Sequence, residues 1–67
     1  MKKEYYTEKE KNIYYNNFII TPILWKYKKS KNIFDITYNV YFNNGSYFTN
    51  YVSYTLENVK NDLNKYM

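Results

Sequence analysis

The stretch FDITYNVYF, residues 34–42, decides the fold, because its apolar side chains fall on every second position. This alternation is typical of a β-strand with one buried face. The next residues, Asn43, Asn44 and Gly45, tolerate the positive φ angles that a tight turn requires. A second strand is therefore predicted to return over residues 46–54.

The register of this hairpin depends on the length of its loop. A two-residue loop would place Val40 opposite Thr49 and leave the apolar face half polar. A three-residue loop with Gly45 left-handed places Val40 opposite Phe48 and keeps that face apolar. It also gives two further pairs, Ile36 with Val52 and Phe34 with Tyr54. Because a one-residue slip turns a whole strand over, the pattern favours the three-residue loop.

Residues 17–27, rich in β-branched and aromatic side chains, predict a strand upstream of this hairpin. Pro22 lies inside this stretch and cannot donate to a β-ladder. It therefore belongs on an edge strand or at a bulge, and the first strand of a three-stranded meander is an edge.

The C-terminal segment changes to helical spacing. Its apolar stripe comprises Leu56, Val59, Leu63 and either Tyr66 or Met67. Thr55 is a suitable N-cap, and Glu57 and Lys65 suit the two ends of the helix dipole. The first segment is less clear: Thr7 with Glu10 fits the capping box of a short helix, whereas the tyrosine pairs nearby would suit strands equally.

The predicted fold class is thus α+β, a three-stranded antiparallel β-meander with a C-terminal α-helix packed on one face and a short N-terminal helix slightly favoured over strands. The chain reads as one small domain, residues 1–67, composed of an N-terminal segment 1–16, the meander 17–54 and the helix 55–67. A chain of 67 residues has a small core, so a partner or self-association is expected to add stability.

Composition argues against catalysis, because the sequence contains no His, Cys or Arg. The usual general base, the best nucleophile and the bidentate anion clamp are missing. Glu57 and Asp62 are five residues apart, which does not place them on one helical face. We expect no enzymatic activity, no cofactor and no metal site.

The longest apolar run, residues 18–25, is broken by Thr21 and Pro22, and no stretch has the length of a membrane span. No signal peptide is visible at the N-terminus. The absence of Cys suits a reducing compartment. We expect a cytoplasmic protein without membrane association.

The net charge of +4 falls in one connector, next to two aromatic residues. The set comprises Trp25, Lys26, Tyr27, Lys28, Lys29 and Lys31. Lysines that grip phosphates beside aromatic rings that stack on bases predict nucleic-acid binding. The alternative is that the lysines protect an edge strand and its turn against aggregation, and this alternative is favoured.

A second surface follows from the hairpin pattern, which places five residues on the sheet face that one helix cannot cover. These are Asn39, Tyr41, Tyr47, Thr49 and Tyr51. Mixtures of Tyr with small polar residues are typical of protein-binding surfaces. A solvated face enriched in Tyr by codon bias is an equal alternative. The last strand, 46–54, would also be an edge open to homodimerisation.

Lys, Asn, Ile, Tyr and Phe, whose codons are AT-rich, supply 42 of the 67 residues. In size, in its lack of catalytic residues and in this low-GC composition the chain resembles the small inhibitors that phages and mobile elements make against host enzymes and defence systems, anti-CRISPR proteins included. The resemblance concerns general character and transfers no site residue. It implies a non-enzymatic inhibitor or adaptor that binds a larger protein, in the host cytoplasm if phage-encoded. The alternative is a small basic nucleic-acid-binding protein.

Overall fold

The computed structural model describes residues 3–66, which form one antiparallel sheet and one short helix. The strands are β1 (Tyr5–Lys9), β2 (Ile13–Tyr15), β3 (Phe18–Tyr27), β4 (Ile33–Phe42) and β5 (Tyr47–Tyr51), and they precede helix α1 (Leu56–Leu63) and a 3₁₀ turn (Asn64–Tyr66). The sheet order is β1-β3-β4-β5, and β2 also pairs with β3. The predicted three-stranded meander is therefore wrong, because the N-terminal segment contributes two further strands.

Both N-terminal strands lie on the same edge of β3. β1 pairs with residues 23–27 and β2 pairs with residues 18–20. The short helix predicted from Thr7 and Glu10 does not form. Aromatic and β-branched residues suit a pleated strand, and the edge of β3 offers hydrogen-bond partners that an isolated helical turn would lack.

Pro22 explains why the first edge is split into two strands. Its carbonyl accepts a 3.0 Å hydrogen bond from the Glu10 N–H, but it has no N–H to return. Three residues, 10–12, here oppose two, Thr21 and Pro22, which is the geometry of a β-bulge. The Thr21 hydroxyl donates to Asn12 Oδ1 at 2.7 Å and fixes the bulge. Pro22 thus lies in a central strand, not in the edge strand of the predicted meander.

The β4–β5 turn has the predicted form, with Gly45 at a φ of 95° and the Phe42 N–H donating to the Ser46 carbonyl at 2.8 Å. The predicted register is wrong beyond the Tyr41–Tyr47 pair, because the ladder shifts by one residue between Tyr41 and Val40. Val40 therefore lies opposite Thr49. The shift keeps Phe48 against the core, where its ring stacks on Phe18 with centroids 5.5 Å apart.

Helix α1 begins as predicted, since the Thr55 side chain accepts a 3.1 Å hydrogen bond from the Asn58 N–H. Val59 and Leu63 are fully buried on its inner face. The core that they complete also contains Phe18, Ile20, Tyr38, Val40 and Tyr51. Met67, the last residue of the predicted apolar stripe, lies outside the described residues.

The helix covers only part of a long sheet. The molecule measures 41 × 22 × 20 Å, and the core cluster draws no residue from the end of the sheet nearest the β3–β4 turn. We call this end the arm. It consists of β1 with residues 23–27 of β3 and residues 33–37 of β4. No helix among residues 3–66 is long and apolar enough to cross a membrane.

Candidate binding site

One face of the arm carries an open groove of about 470 Å³. We call it the aromatic groove. It is lined by Tyr5, Trp25, Tyr27, Phe34, Asp35, Thr37 and Val52. Nearly all of these residues come from strands, so the sheet itself fixes their positions.

Strand register brings the groove residues to one face. Tyr5 lies opposite Tyr27 across the β1–β3 ladder, and Trp25 lies opposite Asp35 across the β3–β4 ladder. A register shift next to Trp25 then turns Phe34 towards the same side. The Tyr27 and Phe34 rings stack with centroids 4.5 Å apart, and Tyr5 meets Phe34 edge-on at 6.1 Å.

Trp25 is held in place from two sides. Its indole Nε1 donates a 3.0 Å hydrogen bond to Thr37 Oγ1, and its ring contacts Tyr5 with centroids 5.6 Å apart. Thr37 is buried, whereas Tyr27, Phe34 and Val52 are exposed. The groove therefore combines a fixed floor with exposed apolar walls.

The arm also has an unpaired strand edge beside the groove. β5 ends at Tyr51, opposite Tyr38, and Ser53 at a φ of 64° turns the chain away towards α1. Within the described part of the chain, no strand pairs with the outer edge of β4 over residues 33–37. The Ile36 N–H is instead bonded to Asp35 Oδ1 at 2.8 Å.

The predicted basic cluster is divided by the fold. Lys26 lies within β3, and its ammonium forms an ion pair with Glu8 in which it donates a hydrogen bond to the carboxylate. This hydrogen bond raises the pKa of the Lys26 ammonium. Strand alternation places Lys26 on the face opposite Trp25. Lys28, Lys29 and Lys31 remain exposed at the β3–β4 turn, next to Tyr27.

We call Lys28, Lys29 and Lys31 the basic tip. Both ion pairs found among residues 3–66 involve other lysines, Lys26 and Lys65. The Lys31 Nζ lies 5.6 Å from the centre of the Tyr6 ring. The Lys28 N–H donates to the Glu4 carbonyl at 3.0 Å and fastens the N-terminal segment to the turn.

The predicted tyrosine surface is only partly assembled. Tyr41 and Tyr47 meet edge-on with centroids 5.7 Å apart, and Tyr47 is 58% exposed. Tyr51 was expected on this open face but is 7% exposed on the helix side, because the register shift at Val40 turns it inward. Burial, and then its hydrogen bond to Asp62, raise the pKa of the Tyr51 hydroxyl.

The two polar members of that surface are both half-buried. Asn39 lies opposite Asn50, whereas Thr49 lies opposite the buried Val40, so the same register shift turns Thr49 to the helix side and removes it from the predicted surface. The outer strand predicted at residues 46–54 exists as β5, but it is shorter than predicted.

Sequence patterns singled out Trp25 and Tyr27 in the groove but missed Tyr5, Phe34 and Val52. The alternation in residues 34–42 assigned Phe34 to the core face, and only the register shift reverses this assignment. The Tyr5-Tyr6 pair was the one available signal for a strand at the N-terminus.

No group of three acidic side chains among the described residues could hold a metal ion. Comparisons with protein-family models, with curated protein sequences and with solved structures gave no match.

Proposed function

We propose that this chain is a non-enzymatic protein-binding module, an inhibitor or adaptor of a larger protein, and that the aromatic groove is its contact surface. The observation that supports this proposal is the exposed aromatic wall formed by Tyr5, Tyr27 and Phe34 beside the fixed Trp25. Clustered exposed apolar side chains are costly in water unless a partner covers them.

The wall has the properties of a protein-binding surface. Tyr and Trp bury a large area while losing few rotamers, and the Trp25–Thr37 hydrogen bond already fixes one of them. Lys28 and Lys29 of the basic tip follow Tyr27 of the groove, where charge increases the rate of encounter more than the affinity, whereas Lys31 lies over Tyr6 on the opposite face. An inhibitor of host defence made by a phage or mobile element, of the anti-CRISPR type and acting in the cytoplasm, is the specific role that we propose from size and composition.

Nucleic-acid binding is the second candidate, and the basic tip is the observation that favours it. Lys28, Lys29 and Lys31 could contact phosphates while Tyr27 and Trp25 stack on bases. Three phosphate contacts would give a salt slope of about −2 to −3. Arginine, the preferred reader of base edges, is absent.

A photo-crosslinking amino acid at position 27 tests the proposal. Tyr14 is the matched control, because it is also a strand tyrosine and is 73% exposed. Crosslinks from position 27 to one protein of the host lysate, lost when Phe34 is replaced by Ser and absent from position 14, are the expected result.

The competing outcome is measured on the same protein. Single- and double-stranded DNA and RNA are titrated against Trp25 fluorescence at about 50 and 200 mM salt. Binding that disappears at the higher salt and in Lys28→Gln/Lys29→Gln, but persists in Phe34→Ser, would replace the first proposal by the second. The proposed homodimer through residues 46–54 is tested separately by the mass of the protein in solution.

A further inference from the structure

The free edge of β4 is the feature of the groove that indicates what kind of partner it receives. In an antiparallel sheet, successive residues direct their backbone N–H and C=O groups to opposite sides. The Pro22 carbonyl points to the N-terminal edge, so Ile23 and its ladder partner Thr37 point towards each other. Ile36 must then direct its backbone groups away from β3, beyond the last residue of β5.

The Asp35 side chain lies at this edge but leaves it open to an added strand. Its side-chain oxygen accepts the Ile36 N–H at 2.8 Å, which satisfies one donor within the chain. A partner strand can offer a backbone carbonyl to the same N–H once the Asp35 side chain rotates. Unpaired edges are common sites of strand addition, and proteins often protect them with charged side chains.

The aromatic groove runs beside this edge. Phe34, Asp35 and Val52 line the groove, and Val52 is 54% exposed where the chain leaves β5. Side chains of an added strand alternate between the two faces of the sheet. Every second side chain of such a strand would therefore lie over the groove and meet apolar walls.

The charge at the end of the groove sets the direction of the strand. A strand that continues the line of β5 runs antiparallel to β4, so its C-terminal end reaches the basic tip. Lys28 and Lys29 are exposed there and form no ion pair among residues 3–66, whereas Asp35, which lines the groove, disfavours a carboxylate nearer the middle. Complementary charge thus selects an acidic C-terminal end.

We infer that the partner contributes an extended peptide strand that adds antiparallel to residues 33–37 of β4, with apolar side chains in the aromatic groove and carboxylates on the basic tip. This inference rests on the proposed function and names the chemistry of the partner segment. Backbone hydrogen bonds would supply general affinity, and the groove and the lysines would supply specificity.

Two synthetic peptides of identical composition test the inference. One is Thr-Ile-Thr-Val-Thr-Glu-Glu-Glu, and the other carries the three glutamates at its N-terminus; both are acetylated and amidated. Trp25 fluorescence gives the affinity and amide hydrogen exchange gives the protection of Ile36. We expect the first peptide to bind about tenfold more tightly and to slow exchange at Ile36, and Lys28→Gln/Lys29→Gln to remove the preference.

A blocking variant and its control complete the test. Ile36→Pro removes the outward N–H and should abolish peptide binding, and its circular dichroism spectrum shows whether the sheet is retained. Val52→Lys, which blocks the groove without changing the backbone, should weaken binding in the same way. Tyr14→Ser should bind the first peptide like the unmodified protein.

Several outcomes would overturn the inference. A preference for the second peptide, or a Trp25 response without protection at Ile36, would exclude antiparallel strand addition while leaving the protein-binding proposal intact. Protection of Ile36 that rises with protein concentration alone would assign the edge to a second copy of this chain. No response to either peptide, with the position-27 crosslink retained, would show a partner of different chemistry. Loss of that crosslink would contradict the proposed function itself.

Discussion

The Tyr51 hydroxyl donates a 2.6 Å hydrogen bond to Asp62 Oδ2, and this bond joins the last strand of the sheet to the last turn of the helix. The Lys65 ammonium forms an ion pair with the other carboxylate oxygen of Asp62, and its Nζ lies 2.9 Å from Oδ1. The hydrogen bond from Tyr51, followed by that from Lys65, lowers the pKa of the Asp62 carboxyl. The helix is thus fastened to β5 by a polar contact beside the apolar core.

This contact predicts an acid-sensitive fold. Because the folded-state pKa of Asp62 is below its unfolded value of about 3.9, its stabilising contribution is complete above that pH and is lost as the pH falls through the folded pKa. Asp62→Asn should therefore flatten the fall in unfolding free energy between about pH 5 and pH 2, measured by urea titration. Glu57→Gln on the same helix is the control, and equal flattening in both variants would contradict the prediction.

Truncating the Leu63 side chain should leave a large fraction of the molecules unfolded. Leu63 has no exposed surface, so Leu63→Ala leaves a cavity and should cost about 2–5 kcal/mol. A domain of this size has only about 3–5 kcal/mol to lose. Chemical denaturation followed by circular dichroism measures the change. Tyr14→Ala, at an exposed position, should stay within about 0.5 kcal/mol of the unmodified protein.

Gly45 should be sensitive to substitution for reasons of backbone conformation alone. Its φ is 95°, and an added Cβ would meet no atom of the described residues within 4 Å apart from its two chain neighbours. Gly45→Ala should therefore cost about 1–3 kcal/mol through backbone strain without any steric clash. Gly45→Asn should cost less, because Asn tolerates positive φ better. Equal unfolding free energies for both variants and for the unmodified protein would show that the turn can relax.

The hydrogen bond beneath the groove should control the mobility of Trp25. Thr37→Val keeps the shape of the side chain but removes the acceptor of the indole N–H. We expect a loss of about 1 kcal/mol in unfolding free energy and a shift of the indole N–H resonance in the proton spectrum. Thr21→Val, which alters a buried threonine outside the groove, should leave that resonance in place.

The divided lysine cluster should behave as two functional groups. Lys28→Gln/Lys29→Gln should slow association with a partner and reduce its salt dependence, while leaving the unfolding free energy unchanged, because both side chains are exposed at the turn. Lys26→Gln should instead lower stability, because it breaks the ion pair with Glu8, and should alter association less. Stopped-flow Trp25 fluorescence with the captured partner measures the rates. Equal slowing in both variants would contradict the division.

Local patterns predicted the elements that local interactions determine. The alternating stretch became β4, Gly45 became the left-handed turn residue and Thr55 became the N-cap. The N-terminal strands were missed because Thr7 and Glu10 satisfy a local helix rule. Pairing of β1 with the edge of β3, which is distant in the sequence, outweighs this local capping pattern.

The site was harder to predict, because two single-residue register shifts reverse the faces that alternation assigns. One shift, at Val40, turns Tyr51 into the core; the other, next to Trp25, turns Phe34 out of it. Both shifts depend on how the strands pack across the sheet, and neither can be predicted from the spacing of apolar residues along the strand. Hence Trp25 and Tyr27 could be selected from the sequence, but the groove around them could not.

Because α1 covers only part of the sheet, the two halves of the molecule should differ in how cooperatively they unfold. The half of the sheet under α1 shares a buried core, whereas the arm is a single layer held mainly by its ladders. Such a layer opens with a smaller free energy than the whole domain, so arm amides should exchange before those of Ile20 and Val40. A ligand on the arm would then extend the cooperative unit along the whole sheet, and its binding would be visible as uniform exchange from one end to the other.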